Sequence, residues 1–294
     1  MQRKKSKKVG ADAENVSALF TQNADLKIKI DTSWRLQIYM KILFISLGCD
    51  KNLVDTEVML GLLASRGYEM TDDEQEADII VINTCCFIHD AKEESIQNIL
   101  EMAELKKEGK VKALIVTGCL AERYKDEILE EIPEVDEVLG TTAYDKILDA
   151  VDAALEGNQE VILSDIDALP LPETKRLVTT GGHFAYLKIA EGCDKHCTYC
   201  IIPKVRGNYR SVPMERLVNE ARELAEQGVK ELILVAQETT LYGKDLYGEK
   251  SLHKLVRELC NISGIRWIRI LYCYPEEITQ ELIDAIKKLP KVCH

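Results

Sequence analysis

The sequence predicts an α/β protein made of two successive runs of alternating strands and helices. The first run is a doubly wound parallel sheet, and the second is a βα series that stops short of a barrel. Three observations predict this. From Met40 onward, short β-rich runs alternate with amphipathic helical stretches, and strands separated by helices pair in parallel. A stretch with little periodicity, 157–182, holds Pro170, Pro172, Thr179, Thr180, Gly181 and Gly182 and divides the two runs. The composition, 46% hydrophobic and 30% charged over 294 residues, is globular and long enough for two cores.

The elements follow in order. Lys41–Leu47 reads as a strand and Leu53–Arg66 as a helix closed by Gly67. Asp78–Ile82 is the next strand, and the helix Asp90–Lys107 stops at Gly109. Val111–Thr117 and Ala121–Ile132 form a third pair, with Pro133 beyond. A short strand, Glu137–Leu139, precedes the helix Tyr144–Leu155, which ends at Gly157. After the linker come the strand Phe184–Ala190, the helix Pro213–Gln227, the strand Glu231–Ala236 and the helix Ser251–Ile262. The strand Arg266–Cys273 and the helix Ile278–Leu289 close the series. The expected organisation is a disordered basic leader over 1–39, a first domain over 40–156, a linker over 157–182 and a second domain over 183–294. Three βα units do not close a barrel. The second domain therefore reads as truncated, or as borrowing closure from elsewhere, with its last strand an unpaired edge.

Composition excludes several classes. The net charge of −12 gives no Lys/Arg surplus for broad phosphate binding. No apolar run approaches the ~20 residues of a membrane span, so no membrane association is expected. The basic run Arg3, Lys4, Lys5, Lys7 and Lys8 has no apolar core after it, unlike a secretory signal. Asp12, Glu14, Asp25 and Asp31 are out of place in an organelle transit peptide. A cytoplasmic location follows. Ten cysteines in a reducing compartment point to metals or catalysis rather than disulfides.

The cysteines fall into two sets. Cys193, Cys197 and Cys200 lie in EGCDKHCTYCIIP, directly after a strand, at a strand edge where barrel enzymes keep their chemistry. Three thiolates on one loop suit a 4Fe–4S cluster with one iron free of protein ligands. That open iron suits the amino and carboxylate groups of the methionine half of S-adenosyl-L-methionine. The competing reading is a zinc knuckle with His196 or His183 as fourth ligand. Tyr199 is placed to lay its ring near the adenine, and Gln237, with Glu238 and Thr239, to face the cofactor from the end of the next strand. Ordinary loop polarity is the alternative for those three. Arg206 and Arg210 suit an acidic group, although a solvated loop is the preferred reading of both. His89 reads as a surface or cap residue.

The other set is Cys49 in SLGCDKN, Cys85 in NTCCFI and Cys119 in TGCL, each just past the C-terminal end of a strand. In a doubly wound sheet those ends share one edge, where ligands sit, so the three converge. Any one alone fits a buried core thiol; all three at equivalent ends point to a second three-thiolate site. Cys86 competes with Cys85, but adjacent side chains of an extended stretch point opposite ways. Cys260, Cys273 and Cys293 read as core or incidental.

With both sets in view, the chain from about Met40 onward resembles the methylthiotransferase family of radical S-adenosylmethionine enzymes, through SLGCDKNLVDTE, NTCCFI, TGCL, EGCDKHCTYCIIPKVRG and AQETTLYG in the expected order. The resemblance implies a flavodoxin-like doubly wound parallel sheet followed by a radical-SAM (β/α) barrel, incomplete here, and a C-terminal TRAM domain that this sequence lacks. It implies two 4Fe–4S clusters, S-adenosyl-L-methionine and a low-potential electron donor. One branch of the family modifies an aspartate of small-subunit ribosomal protein twelve, and another an isopentenylated adenosine in tRNA. Phe87 and Ile88, with Ser46 and Leu47, resemble the ribosomal-protein branch. Cys86, Asp50 and Val212 stand where that branch usually carries glycine, proline and arginine, and none of them is a cluster ligand. The implied activity is insertion of a methylthio group at the aspartate β-carbon, with the protein substrate free or on the ribosome. The alternatives are the tRNA reaction and an inactive iron–sulfur-binding fragment.

Overall fold

The computed structural model describes residues 40–170 and 175–293. The leader expected over 1–39 lies outside them. The first domain contains β1 (Lys41–Ser46), α1 (Asp50–Ser65), β2 (Glu69–Thr71), β3 (Ile79–Thr84), α2 (His89–Lys107) and β4 (Ala113–Gly118). It continues through α3 (Cys119–Glu131), β5 (Glu137–Leu139), a 3₁₀ turn, α4 (Ile147–Leu155) and β6 (Glu160–Ile162). The six strands are all parallel in the order β2-β1-β3-β4-β5-β6, a flavodoxin-like order with one further edge strand. The central strands β3 and β4 are buried along their whole length, because helices cover both faces. Met59, Leu60 and Leu63 of α1 pack with Ile147, Ala150 and Val151 of α4 on one face. Ile99, Met102, Leu120 and Ile128 of α2 and α3 pack on the other.

Two short strands of this domain were not legible in the sequence. Strand β2 forms after the turn that ends α1. Strand β6 lies inside the stretch read as linker, where it pairs with β5. Each is three residues long, too short to show alternation.

The second domain contains β7 (Phe184–Lys188), β8 (Ala190–Glu191), α5 (Ile202–Arg206), β9 (Arg210–Ser211) and α6 (Met214–Glu226). It then runs through β10 (Glu231–Val235), α7 (Lys244–Tyr247), α8 (Leu252–Cys260), β11 (Trp267–Ile270) and α9 (Gln280–Lys288). Strands β7, β10 and β11 form a parallel sheet in that spatial order, the start of a barrel wall rather than a closed barrel. Helix α6 buries Leu217, Val218, Ala221 and Leu224, and α8 buries Leu252, Leu255, Val256 and Leu259, each a helical stripe facing the sheet. The outer edge of β11 is not unpaired as expected. Ile268 N–H donates to Lys291 O at 2.8 Å and Cys293 N–H to Ile268 O at 2.9 Å.

Helix α1 joins the two domains. Its apolar face meets its own sheet, while Asn52, Asp55, Thr56 and Glu57 are buried as well. Asp55 pairs with Lys188 of β7. Arg176 bridges Glu57 at 3.3 Å and Glu220 of α6 at 3.0 Å. Thr179 N–H donates to Glu57 Oε1 at 2.7 Å. Buried polar groups need such partners, so this junction is ionic rather than apolar.

Candidate cluster sites at the strand ends

Cys49, Cys85 and Cys119 follow β1, β3 and β4, three adjacent strands of the first sheet. Neighbouring strands lie about 5 Å apart, so the topology gathers residues remote in sequence along one edge. The backbone at two points is pinched. Gly48 and Gly118 have φ of +91° and +93°, a region that disfavours side chains. A Cβ on Gly48 would lie 2.6 Å from Cys85 Cβ, and one on Gly118 would lie 2.5 Å from Thr84 O. Ser95 fixes Cys85, accepting from its N–H at 3.0 Å and donating to its carbonyl at 2.9 Å. Asn52 Nδ2 donates to Leu47 O at 3.0 Å and Thr84 O at 2.8 Å, tying two cysteine loops together.

Cys49 is exposed, whereas Cys85 and Cys119 are buried. Burial pushes the Cys119 thiol up to about 12, with Arg206 opposing and the other two cysteines adding to the rise. Burial also raises Cys85, and the neighbouring Cys49 adds to it. The three thiols therefore sense one another. Cys86 is turned into the core among Ile82, Val116 and Leu120, its thiol donating to Cys119 O at 3.2 Å. That leaves Cys85 as the member of the pair facing Gly48.

The second set occupies the loop between β8 and α5. Cys200 N–H donates to Cys197 O at 2.9 Å, and Cys193 N–H donates to Gly207 O at 3.1 Å. All three are part-exposed. Burial raises the Cys193 thiol, with Cys200 and Cys197 adding to the rise. His196 holds a left-handed φ of +46°, which turns the loop tightly between the first two cysteines. Tyr199 is 84% exposed. Gln237, past the end of β10, buries its Oε1 with no hydrogen-bond partner among the described residues. Glu238 and Thr239 beside it are buried; Thr239 Oγ1 donates to Leu271 O at 2.7 Å. His89 is an exposed residue at the start of α2, 3.4 Å from Glu93.

Among the described residues, no three Cys, His, Asp or Glu side chains are drawn together closely enough to grip a single metal ion. A four-iron cubane spreads its thiolates more widely than one ion does. Both donor sets, three thiols each, have the soft chemistry of iron–sulfur ligation.

Arg206 corrects the sequence expectation of a solvated loop. It is 2% exposed, because the five-residue helix α5, which starts with Pro203 in its first turn, turns the chain back toward the first domain. Val205 O accepts from Thr141 Oγ1 at 2.7 Å. The Arg206 guanidinium donates to Asp55 at 2.7 Å, to Glu191 at 3.3 Å and to Asn52 Oδ1. Lys188 pairs with the same two carboxylates. Burial works against the charge of Glu191, but Lys188 and Arg206 overcome it and hold the carboxyl down at about 2. Arg210 is part-exposed, donating to Arg206 O at 3.1 Å and lying 3.5 Å from Asp167. Lys51 Nζ lies 4.0 Å over the ring of Tyr272, which holds a φ of +60° and donates to Asp50 Oδ1 at 3.4 Å. Sequence reasoning missed Asn52, Asp55, Ser95, Lys188 and Glu191. The available signal was a row of polar residues, Asn52, Asp55 and Thr56, spaced three and four apart on one face of α1.

Comparison with known proteins recognises both halves of the chain. Residues 41–140 match the family described as Uncharacterized protein family UPF0004, and residues 187–294 match the Radical SAM superfamily. The ribosomal protein uS12 methylthiotransferase RimO of Lachnoclostridium phytofermentans is 69% identical over 255 residues, which are 87% of this chain and 58% of that protein. The RimO proteins of Clostridioides difficile and Clostridium perfringens are 52% and 54% identical, over 86% of this chain and 57% of theirs. The chain thus spans little more than half the length of these curated relatives. Among solved structures, the radical S-adenosylmethionine methyltransferase TsrM from Kitasatospora setae matches with a TM-score of 0.54 at 15% identity, over 84% of this chain and 57% of that one. The cobalamin-dependent radical enzyme OxsB matches with a TM-score of 0.51 at 12% identity, over 93% of this chain and 46% of that one. These two share the fold alone. From the matched domains and the identity carried across both of them, the chain belongs to the RimO-like methylthiotransferase family of the radical SAM superfamily.

Proposed function

We propose that the chain is the cluster-bearing part of a cytoplasmic methylthiotransferase that inserts a methylthio group at the β-carbon of an aspartate in ribosomal protein uS12. The observation that carries the reading is the pair of three-cysteine sets at the strand ends of two domains joined by one buried ionic network. The substrate follows from the relatives' names, since identity of 50–69% runs through both domains. Cys193, Cys197 and Cys200 would hold one 4Fe–4S cluster and Cys49, Cys85 and Cys119 another. When bound, the first supplies the electron that splits S-adenosyl-L-methionine, and the second the site from which sulfur is delivered.

The chain's own residues do the rest. Tyr199, exposed beside Cys200, offers a ring for the adenine, and Gln237 Oε1 an acceptor for the cofactor. Lys51, Asp50 and Tyr272 link the start of α1 to the segment after β11, where they would limit water around a reactive radical. The two domains must stay in register for a carbon radical to meet its sulfur at attack distance; the Asp55, Lys188, Glu191 and Arg206 contacts fix that register. The net charge of −12 favours a protein over a polyanionic tRNA as substrate. A low-potential donor would supply the electron. Among the described residues no helix is long and apolar enough to cross a membrane.

The test is anaerobic reconstitution with iron and sulfide, then incubation with S-adenosyl-L-methionine, a low-potential reductant and uS12. The expected result is 5′-deoxyadenosine together with a uS12 aspartate heavier by one methylthio group. A chain loaded at both sites that forms no 5′-deoxyadenosine overturns the reading. Modified tRNA adenosine in place of aspartate moves the substrate to the other branch.

A further inference from the structure

By sequence Arg206 belongs to the second cysteine loop, six residues after Cys200, yet its guanidinium lies inside the first domain's site. One nitrogen satisfies Asp55 and Glu191. The other is turned toward Asn52 Oδ1, and that oxygen lies 3.9 Å from Cys119 Sγ. Burying two cations against two carboxylates costs much desolvation and in general adds little stability over apolar packing. The arrangement therefore calls for a reason beyond holding the domains together. Its distinctive product is a fixed, water-excluded guanidinium with one nitrogen on the carboxylates that balance it and the other turned toward a cluster cysteine.

We infer that Arg206 is a positioning residue by which the second domain sets the charge environment, and so raises the reduction potential, of a cluster held by Cys49, Cys85 and Cys119. This rests on the two-cluster reading above. A cluster held by thiolates gains negative charge when reduced, and nearby positive charge and hydrogen bonding favour that state. Because Arg206, Asn52 and Cys119 are buried, little solvent or salt screens the effect between them. Asn52 is the anchor rather than the carrier: its Nδ2 donates to Leu47 O and Thr84 O and its Oδ1 accepts from Arg206, which fixes the guanidinium beside Cys119 so that its charge acts through space.

The experiment uses the reconstituted chain in two backgrounds. C193A/C197A/C200A leaves the first site alone, and C49A/C85A/C119A leaves the second. Redox titration followed by electron paramagnetic resonance is expected to show a lower first-site potential in R206Q. R206K should fall between, because lysine keeps the charge and loses the fork. The second-site potential and iron content should not move. If R206Q takes up no iron at the first site, restoration in R206K with a normal second site supports the inference, and failure of lysine to restore it overturns it. An unmoved first-site potential, equal shifts at both sites, or loss of iron from both sites in R206Q also overturns it, the last assigning Arg206 a purely structural role. A first-site background that binds no iron even with Arg206 intact sinks the two-cluster reading and the inference together, which keeps the two failures apart.

Discussion

The two cysteine sets are equal in number and opposite in construction. Cys193, Cys197 and Cys200 sit on one part-exposed loop whose own turns bring them together. Cys49, Cys85 and Cys119 come from three strand ends, two of them buried, and meet only when β1, β3 and β4 pair in order. A loop site depends on local conformation. A sheet-edge site depends on the whole domain and, through Arg206, on its neighbour as well. The first domain's site should accordingly be the more fragile of the two.

The strongest test of that contrast is ligand removal. Alanine at any one of the six cysteines is expected to lower iron from about eight to about four per chain, measured colorimetrically after reconstitution. If Cys86→Ala has the same effect, the assignment of Cys85 as the inward member of its pair is wrong. Gly118→Ala should come next. With a φ of +93° and Thr84 O at 2.5 Å from the new Cβ, it should cost about 3 kcal/mol in urea denaturation. It should also empty the first site while leaving the second loaded; equal loss at both would erase the distinction between them.

A smaller effect separates the domains by pH. Glu137 of β5 is buried, neither carboxylate oxygen has a hydrogen-bond partner among the described residues, and Glu160 lies opposite on β6. Burial, with Glu160 and Asp136 adding to it, pushes its carboxyl from 4.5 to about 7. Between those values the folded state binds the extra proton, so stability falls as pH rises through that window and is flat above it. Glu137→Gln should stabilise the first domain by about 2 kcal/mol near pH 8 and do little near pH 5, read from melting curves at the two pH values. A gain that persists unchanged at low pH would refute the shifted carboxyl. The smallest structural effect is expected from Tyr199→Ala, at 84% exposure. Stability should change by less than about 0.5 kcal/mol and iron should stay bound, while affinity for S-adenosyl-L-methionine drops. Unchanged affinity would remove Tyr199 from the cofactor site.

What was legible in the sequence follows the same division. The loop motif is local, so its spacing announced itself. The sheet-edge set was legible because each cysteine follows a clear strand, and parallel order does the gathering. Strands β2 and β6 were hidden because three residues show no period. The ionic junction was hidden for a different reason. Asp55, Glu191 and Arg206 look like surface charges, and only the packing of α1 between two domains buries them. Helix α5, five residues long, gave no periodic signal, so Arg206 read as solvated. The outer edge of β11 was misjudged because the pairing segment, Lys291–Cys293, follows a helix and is too short to stand out.

Gly48 and Gly118 each stand immediately before a cysteine, with nearly the same φ and with no room for a methyl group. The word that specifies the first site is thus two residues long, Gly-Cys, written at the ends of β1 and β4. Every amino-acid replacement at either glycine introduces a side chain, so at these positions drift is closed even though neither residue offers a ligand atom. A distant homologue that keeps its three cysteines and loses either glycine is therefore one in which this edge of the sheet has been released for other use.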